Sequence, residues 1–136
     1  MGRVGKKKMA VSTTARSEMI DVTGGLRRFV GETGVAEGRL TVFVPHTTAG
    51  ITINEHADPA VAEDMLDHLE SMVPWERGWR HAEGNSAAHI KATLCGSSVV
   101  VLVSEGSLEL GTWQGVFLCE FDGPRRRHLW ISCESF

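Results

Sequence analysis

Three of the six histidines stand beside other polar residues in loops or at the ends of expected elements. His46 follows a β-branched run, His81 lies in a loop, and His89 falls one turn inside an expected helix, where the helix dipole favours neutral imidazole. Neutral imidazole binds divalent metals, and three histidines with an open fourth position form a common catalytic zinc site. Their spacing is not specific, so capping, core hydrogen bonds and direct acid–base roles remain open. The other histidines are expected to be surface or capping residues: His56, His68 and His128.

A possible anion site accompanies these histidines at the start of the third expected helix. Asn85 and Ser86 are capping types, and the first N–H groups of a helix can hold a phosphate or carboxylate. Thr47 and Thr48 could add hydroxyl donors from another loop. An ordinary N-cap and a polar turn explain the same residues, so an anion site requires the two loops to meet.

Four further residues have side chains suited to catalysis or phosphate binding. Glu55 or Glu83 could act as a general base, or Glu55 could orient a histidine ligand, although an exposed glutamate explains each position equally well. Gln114 presents an amide from a glycine-rich turn. Arg125 could clamp a phosphate bidentately, and a salt bridge to Asp122 is the alternative.

The hydrophobic pattern predicts the elements that carry these residues. Apolar residues at helical spacing predict three helices, at about 26–32, 59–70 and 87–94. Runs rich in β-branched residues predict strands at 9–22, 39–44, 51–54, 98–103, 108–110, 113–121 and 127–132. Strands in series with helices inserted between them predict an α+β fold with a mixed, largely antiparallel sheet.

Composition favours one compact domain. The chain has 136 residues, 42% of them hydrophobic and 23% charged, which is the usual balance of a globular protein. We expect residues 1–8 to be a flexible basic start and residues 9–136 to form the domain. The net charge of -3 gives no general attraction for nucleic acid, and short basic runs such as 6–8 and 125–127 are usually solvated.

The three cysteines are too few and too scattered for a disulfide framework, which favours a reducing compartment, the cytoplasm. The first residues lack the apolar region of a signal peptide. The longest apolar stretch, 99–103, is far shorter than the roughly 20 residues that span a bilayer, so no membrane association is expected.

Several of these polar blocks, in this order, closely resemble the YjbQ family, also called secondary thiamine-phosphate synthase proteins. The resemblance extends from about residue 21 to 132 and leaves residues 1–8 and the 75–79 loop unmatched. The blocks that carry it are Pro45–Ala49, Asn54–Glu55, His81 through Glu83–Asn85 to Ala88–His89, Leu110–Gln114 and Asp122–Arg125.

The resemblance implies a compact α+β homotrimer with its polar blocks near the subunit interfaces. It also implies a weak thiamine-phosphate synthase activity, which joins a pyrimidine pyrophosphate to a thiazole phosphate. The family positions match a metal site at His46, His81 and His89; zinc is expected, with magnesium or no metal as alternatives. In that reaction the metal, Thr47, Ser86 and Arg125 would neutralise the diphosphate that leaves.

Two other functions fit the same residues. One is metal-assisted hydrolysis of a small phosphate ester, in which Glu55 or Glu83 activates a metal-bound water. The other is a non-catalytic trimer that binds a metal or a metabolite. The expected ligand in every case is a small molecule, phosphorylated if the protein is an enzyme.

Overall fold

The computed structural model describes residues 4–136. Its strands are β1 (Val4–Ser12), β2 (Glu18–Asp21), β3 (Gly38–Phe43), β4 (Ala49–Glu55), β5 (Ser98–Ser104), β6 (Ser107–Leu108), β7 (Gln114–Glu120) and β8 (Arg126–Ser135). Its helices are α1 (Thr23–Thr33), α2 (Pro59–Met72) and α3 (Ser86–Cys95). The three predicted helices are confirmed, and none of the helices in residues 4–136 is long and apolar enough to cross a membrane.

The strands form two sheets. One has five strands in the order β1-β8-β3-β5-β6, and the other has three in the order β2-β7-β4. Every pairing between described strands is antiparallel. The predicted α+β class is confirmed, but the expected mixed sheet is corrected, because each hydrogen-bonded neighbour runs in the opposite direction.

The main core lies between the two sheets and is closed by α1. Alternate residues of β3 and β8 point inward, as expected for strands with one buried face. Burying each such side chain stabilises the fold by roughly 1.5–3 kcal/mol. The fully buried members include Leu26, Val30, Leu40, Val42, Ile51, Val116, Leu118, Leu129 and Ile131.

A second, smaller core lies on the opposite face of the three-stranded sheet, under α2 and α3. Phe117 and Cys119 alternate along β7, Phe121 directly follows the strand, and all three belong to one cluster with Ala88 of α3. The α2 helix starts as predicted, since Asp58 accepts a hydrogen bond from the Ala60 N–H at 2.9 Å. Every residue of α2 keeps part of its surface exposed, so this helix covers the sheet loosely.

The beginning of the chain differs from the prediction. Residues 4–8, expected to be flexible, belong to β1, which pairs with β8 from Val4↔Glu134 to Ser12↔Arg126. The ladder with β8 supplies backbone hydrogen bonds, and lysines are common on edge strands because their heads stay in water. Residues 1–3, the rest of that predicted segment, lie outside the described residues.

The single strand predicted at 9–22 is two strands in different sheets. The chain leaves β1 at Thr13, whose hydroxyl donates to Glu120 at 2.8 Å. The Thr14 N–H then donates to the Glu18 carboxylate. Local side-chain bonds of this kind compete with a strand ladder, which explains the break.

Candidate functional site

A cavity of about 530 Å³ opens where β3 and β7 end and where α3 and β8 begin. Three separate stretches of chain contribute to it, 45–48, 81–89 and 122–127, so the Thr47–Thr48 loop does meet the start of α3. Its lining residues are Pro45, His46, Thr47, Thr48, His81, Glu83, Asn85, His89, Asp122, Arg125 and Arg127.

All three histidines predicted to form a site line this cavity. The rings of His81 and His89 meet edge to face with 5.6 Å between their centres. The ring of His46 stands 4.8 Å from that of His128, and its Nε2 accepts a hydrogen bond from the His128 backbone N–H at 3.0 Å. The three imidazoles therefore share one space, and His46 is held from the side of β8.

Burial lowers the pKa of His46, and the positive charges of Arg127 and His128 lower it further. Neutral His46 must carry its proton on Nδ1, because Nε2 is already an acceptor. His46 thus has an N–H group to donate and a fixed tautomer.

The same hydrogen bond bears on metal binding. A metal bound at Nε2 of His46 would break the hydrogen bond from the His128 N–H. A metal bound at Nδ1 would displace the proton that Nδ1 carries while Nε2 accepts this hydrogen bond. Within residues 4–136 no group of three or more His, Cys, Asp or Glu side chains is arranged to hold a metal ion. Metal binding by His46, His81 and His89 stays a prediction.

A buried ion pair forms the floor of the cavity. Arg127 donates to both carboxylate oxygens of Glu120 and to the hydroxyl of Thr48, the latter at 2.8 Å. Burial alone would raise the pKa of Glu120, but the hydrogen bonds from Arg127, Asp122 and Thr13 outweigh burial and lower it. Glu120 is therefore ionised, and its charge offsets that of Arg127.

Sequence reasoning missed Arg127, Glu120 and His128. The alternation of β8 gave a signal for Arg127, because it shares the inward face with Leu129 and Ile131. His128, expected to be an ordinary surface or cap residue, is half-buried and fixes His46 through its backbone. It also lines a separate cavity of about 370 Å³ on the outer face of the larger sheet.

Asn85 is 6% exposed and sits directly before α3. The Asn85 amide nitrogen donates a hydrogen bond to the Asp122 carboxylate at 2.8 Å. The Asn85 side chain makes no capping hydrogen bond to α3, so the expected capping role is corrected. Its Oδ1 is buried without a hydrogen-bond partner among residues 4–136. A buried acceptor without a partner is costly, and a bound group with an N–H or O–H would satisfy it.

Arg125 meets both descriptions offered by the sequence. It lines the cavity, and it also forms a salt bridge with Asp122, with Nη2 to Oδ2 at 3.1 Å and Nε donating to the Asp122 carbonyl at 2.8 Å. About half of its side chain is exposed, so Arg125 is oriented by Asp122 while remaining reachable from the cavity.

The remaining predicted phosphate ligands differ in position. Thr48 is buried and already bonded to Arg127, whereas Thr47 lines both this cavity and an adjoining one of about 460 Å³. Glu83 lines the cavity near the Asn85 amide, at 3.5 Å. Among the described residues, the lining does not include Ser86, which is the first residue of α3.

Glu55 and Gln114 lie at the opposite end of the three-stranded sheet. They are register partners on β4 and β7, and β4 runs about 20 Å from its start beside the cavity to Glu55. The Gln114 Oε1 accepts a hydrogen bond from the Gly111 N–H at 2.8 Å. The predicted catalytic group of Glu55, Glu83 and Gln114 is therefore not assembled within one subunit.

A family model described as "UPF0047 protein YjbQ-like" matches residues 7–135. The chain belongs to the YjbQ family. This confirms the resemblance drawn from the five polar blocks. The family match covers both the cavity residues and the distant Glu55 and Gln114.

Its YjbQ-family relatives extend across bacteria and archaea. The chain is 52% identical to "UPF0047 protein YugU" of Bacillus subtilis over 126 residues, which cover 92% of this chain and 96% of that protein. It is 45% identical to a UPF0047 protein of Methanocaldococcus jannaschii over 124 residues, covering 91% and 90% of the two chains.

Solved YjbQ-family structures have the same fold. A YbjQ-like protein of unknown function from Sulfolobus solfataricus superposes with a TM-score of 0.95 at 35% identity, covering 100% of both chains. An uncharacterised YjbQ-family protein from Clostridium acetobutylicum gives 0.90 at 47% identity, covering 92% of this chain and 97% of that one. These proteins establish family and fold, and they are described as uncharacterised or of unknown function.

Proposed function

We propose that this YjbQ-family chain binds a phosphorylated small molecule in the cavity between His46, His81 and His89. One observation carries the proposal: polar groups from three distant stretches, 45–48, 81–89 and 122–127, converge on one cavity of about 530 Å³. The unsatisfied Oδ1 of Asn85 supports it, because a ligand with a hydroxyl or amino group would complete that acceptor.

The charges of the cavity set a condition on anion binding. Arg125 is paired with Asp122, and Arg127 with Glu120, so each guanidinium is largely offset. Additional attraction for a phosphate would come from the N–H groups at the start of α3, which begins beside the cavity. Phosphate binding would therefore depend on hydrogen bonds more than on the net charge of the cavity.

The reaction that we propose is the thiamine-phosphate synthase type of transfer. As the diphosphate leaves, negative charge develops on its oxygens, and Arg125, His81 and the Nδ1–H of His46 are donors that would stabilise it. Glu83 is the one predicted acid–base residue that lines the cavity. Incubation with a pyrimidine pyrophosphate and a thiazole phosphate tests this, and release of pyrophosphate without the joined product would contradict it.

Non-catalytic metabolite binding is the second candidate function. It is favoured by the distance of Glu55 and Gln114 from the cavity, which leaves few catalytic side chains in one subunit. Tight binding without any product would support this candidate. Hydrolysis of a phosphate ester would need a water-activating group, for which Glu83 is the available carboxylate.

A divalent metal, zinc or magnesium, remains a separate proposal. Elemental analysis of the purified protein tests it, together with His89→Ala. Stoichiometric metal that disappears in the variant would support ligation by His89. Unchanged metal content in the variant would exclude His89 as a ligand.

We also propose that the chain forms a homotrimer. Support comes from the outer face of the larger sheet, where Val100 and Leu102 are 57% and 50% exposed and Phe43 and Trp130 lie on neighbouring strands. Large exposed apolar side chains that gather on one face of a sheet commonly lie in a subunit interface. Light scattering of the wild type and of Leu102→Lys tests it, and a monomeric wild type would contradict it.

The cytoplasm is the compartment that we propose. Support comes from Cys95, Cys119 and Cys133, which are all free thiols, as is usual in a reducing environment. Fractionation of cells that express the tagged chain tests this.

A further inference from the structure

Two of the three cysteines lie together on the helix-covered face of the three-stranded sheet. Cys119 is near the end of β7 and is buried between Phe117 and Phe121. Cys95 is the last residue of α3 and is partly exposed. The two belong to the same small core, although they lie on different elements.

Gly50 shows how close the two thiols are. It is the register partner of Cys119, and directly opposed residues in an antiparallel pair have Cα atoms about 4.5–5.5 Å apart with side chains on the same face. A Cβ added to Gly50 would meet both Cβ and Sγ of Cys95 at 2.9 Å. The Cys95 side chain thus occupies the space beside Gly50, on the same sheet face as the Cys119 side chain, so the two thiols are neighbours.

A reagent can reach this pair. Cys95 and Cys119 both line a cavity of about 140 Å³ between α2, α3 and the sheet. The rest of its lining is mostly apolar: Met19, Thr52, Met65, Leu66, Leu69, Leu94 and Phe121. Such a cavity admits a small uncharged molecule more readily than an anion.

The two thiols differ in reactivity. The hydrogen bond between them lowers the pKa of Cys95, although burial acts in the opposite direction. The same hydrogen bond and burial raise the pKa of Cys119 well above its usual range. Cys95 is therefore the thiol that reacts first, since it is also the more exposed of the two.

We propose that Cys95 and Cys119 form an oxidative modification site, which a small hydroperoxide converts reversibly into an intramolecular disulfide. The Cys95 thiolate attacks the outer oxygen of the hydroperoxide; the O–O bond breaks, and the released alkoxide or hydroxide takes a proton. The Cys119 sulfur then attacks the Cys95 sulfenic acid and expels water, and its own proton is lost. In sum, two thiols and one hydroperoxide give one disulfide, one alcohol (or water) and one water.

The disulfide would join the last turn of α3 to β7. Since α3 begins beside the polar cavity, oxidation would fix the helix that carries His89. The inference rests on the geometry of the thiols and is independent of the proposed phosphate binding.

Peptide mapping of the full-length wild-type protein tests the proposal without any substitution. The protein is treated with equimolar hydrogen peroxide, denatured, alkylated and digested. We expect free thiols to fall from three to one, with Cys95 and Cys119 recovered in one cross-linked peptide that dithiothreitol separates. Retention of all three thiols, or a cross-link found only between two chains, would overturn the proposal.

Variants distinguish the roles of the two thiols. Cys133 lies in β8 of the other sheet, away from the pair. In Cys133→Ser, peroxide should therefore oxidise Cys95 and Cys119 as readily as it does in the wild type. In Cys119→Ser, the sulfenic acid on Cys95 should persist and be trapped by dimedone. Equal oxidation of Cys133 and Cys95 in the wild type would contradict a selective site, whether or not the variants fold.

Discussion

The two ends of the three-stranded sheet are both rich in polar residues, yet they differ in how those residues are held. At the cavity end, Glu120 is buried and bonded to Arg127 and Thr13, the latter 107 positions away in sequence. At the far end, Gln114 bonds to Gly111 three residues away, and its side chain is exposed. Polar residue types alone therefore do not mark a site; burial and long-range bonding do.

The cost of each arrangement explains the difference. A buried charge without a partner would be strongly destabilising, so the cavity end keeps its charges only because they are paired. The far end keeps its polar groups in water or in local turns, where they cost little. His56 and Asp21, hydrogen-bonded at 2.9 Å and only partly buried, are intermediate between these two cases.

The largest expected effect is on the buried pair. Arg127→Met would leave Glu120 as an unpaired buried carboxylate and should lower the free energy of unfolding by about 3–5 kcal/mol. The control is Arg39→Met, which breaks an exposed pair with Glu134 and should cost about 0–1 kcal/mol. Urea denaturation measures both, and similar losses would contradict the distinction between the two kinds of pair.

The next effect tests the far end of the sheet. A Cβ at Gly115 would meet the His56 ring at 2.5 Å, so Gly115→Ala should displace His56 and cost about 1–3 kcal/mol. At Gly31 an added Cβ would meet nothing within 4 Å among the described atoms, and Gly31→Ala should be neutral or stabilising. Thermal unfolding compares the two, and a neutral Gly115→Ala would show that His56 packs elsewhere.

A smaller effect concerns ligand binding at the two ends. His89→Gln should weaken pyrophosphate binding about tenfold, because a hydrogen bond to a charged group contributes about 1.5–3 kcal/mol. His68→Gln, on the exposed surface of α2, and Gln114→Ala should leave it unchanged. Calorimetric titration measures all three, and equal losses in His89→Gln and Gln114→Ala would mean that both ends belong to one site.

The smallest effect is a pH dependence. His46 has a lowered pKa in the fold, so below its ordinary value of 6.5 the unfolded chain takes up a proton that the folded chain does not. Stability from His46 is therefore present above that value and lost as the pH falls toward the folded pKa. His46→Gln should flatten this decline in urea denaturation, and an unchanged slope would contradict the neutral assignment.

Parts of the site could be predicted from the sequence. His46, His81 and His89 lie near element ends or in a loop, and such positions open into clefts, so the pattern made them candidates, while the family resemblance implied that they share one site. Arg127 could have been predicted as inward-facing from its register on β8. A charged residue at a core position is plausible only if a partner of opposite charge is known. That partner, Glu120, ends β7 of the other sheet, and composition does not reveal that the two sheets meet at this point.

Other parts could not be predicted because they depend on register. Glu55 was expected near the histidines, but β4 carries it away from the cavity along the sheet. Residues 4–8 were expected to be flexible because their lysines resemble a solvated tail, whereas the available edge of β8 makes them a strand. In both cases a distant partner strand determines the outcome.

NMR can follow the resolved ring signals of the histidines while inorganic pyrophosphate is added. This titration shows whether His46, His81 and His89 surround one anion-binding cavity. We expect these three rings to shift together and to saturate, while His56 and His68 stay unchanged. Rings that do not shift, or a shift confined to His56 at the far end of the sheet, would contradict a shared anion-binding cavity.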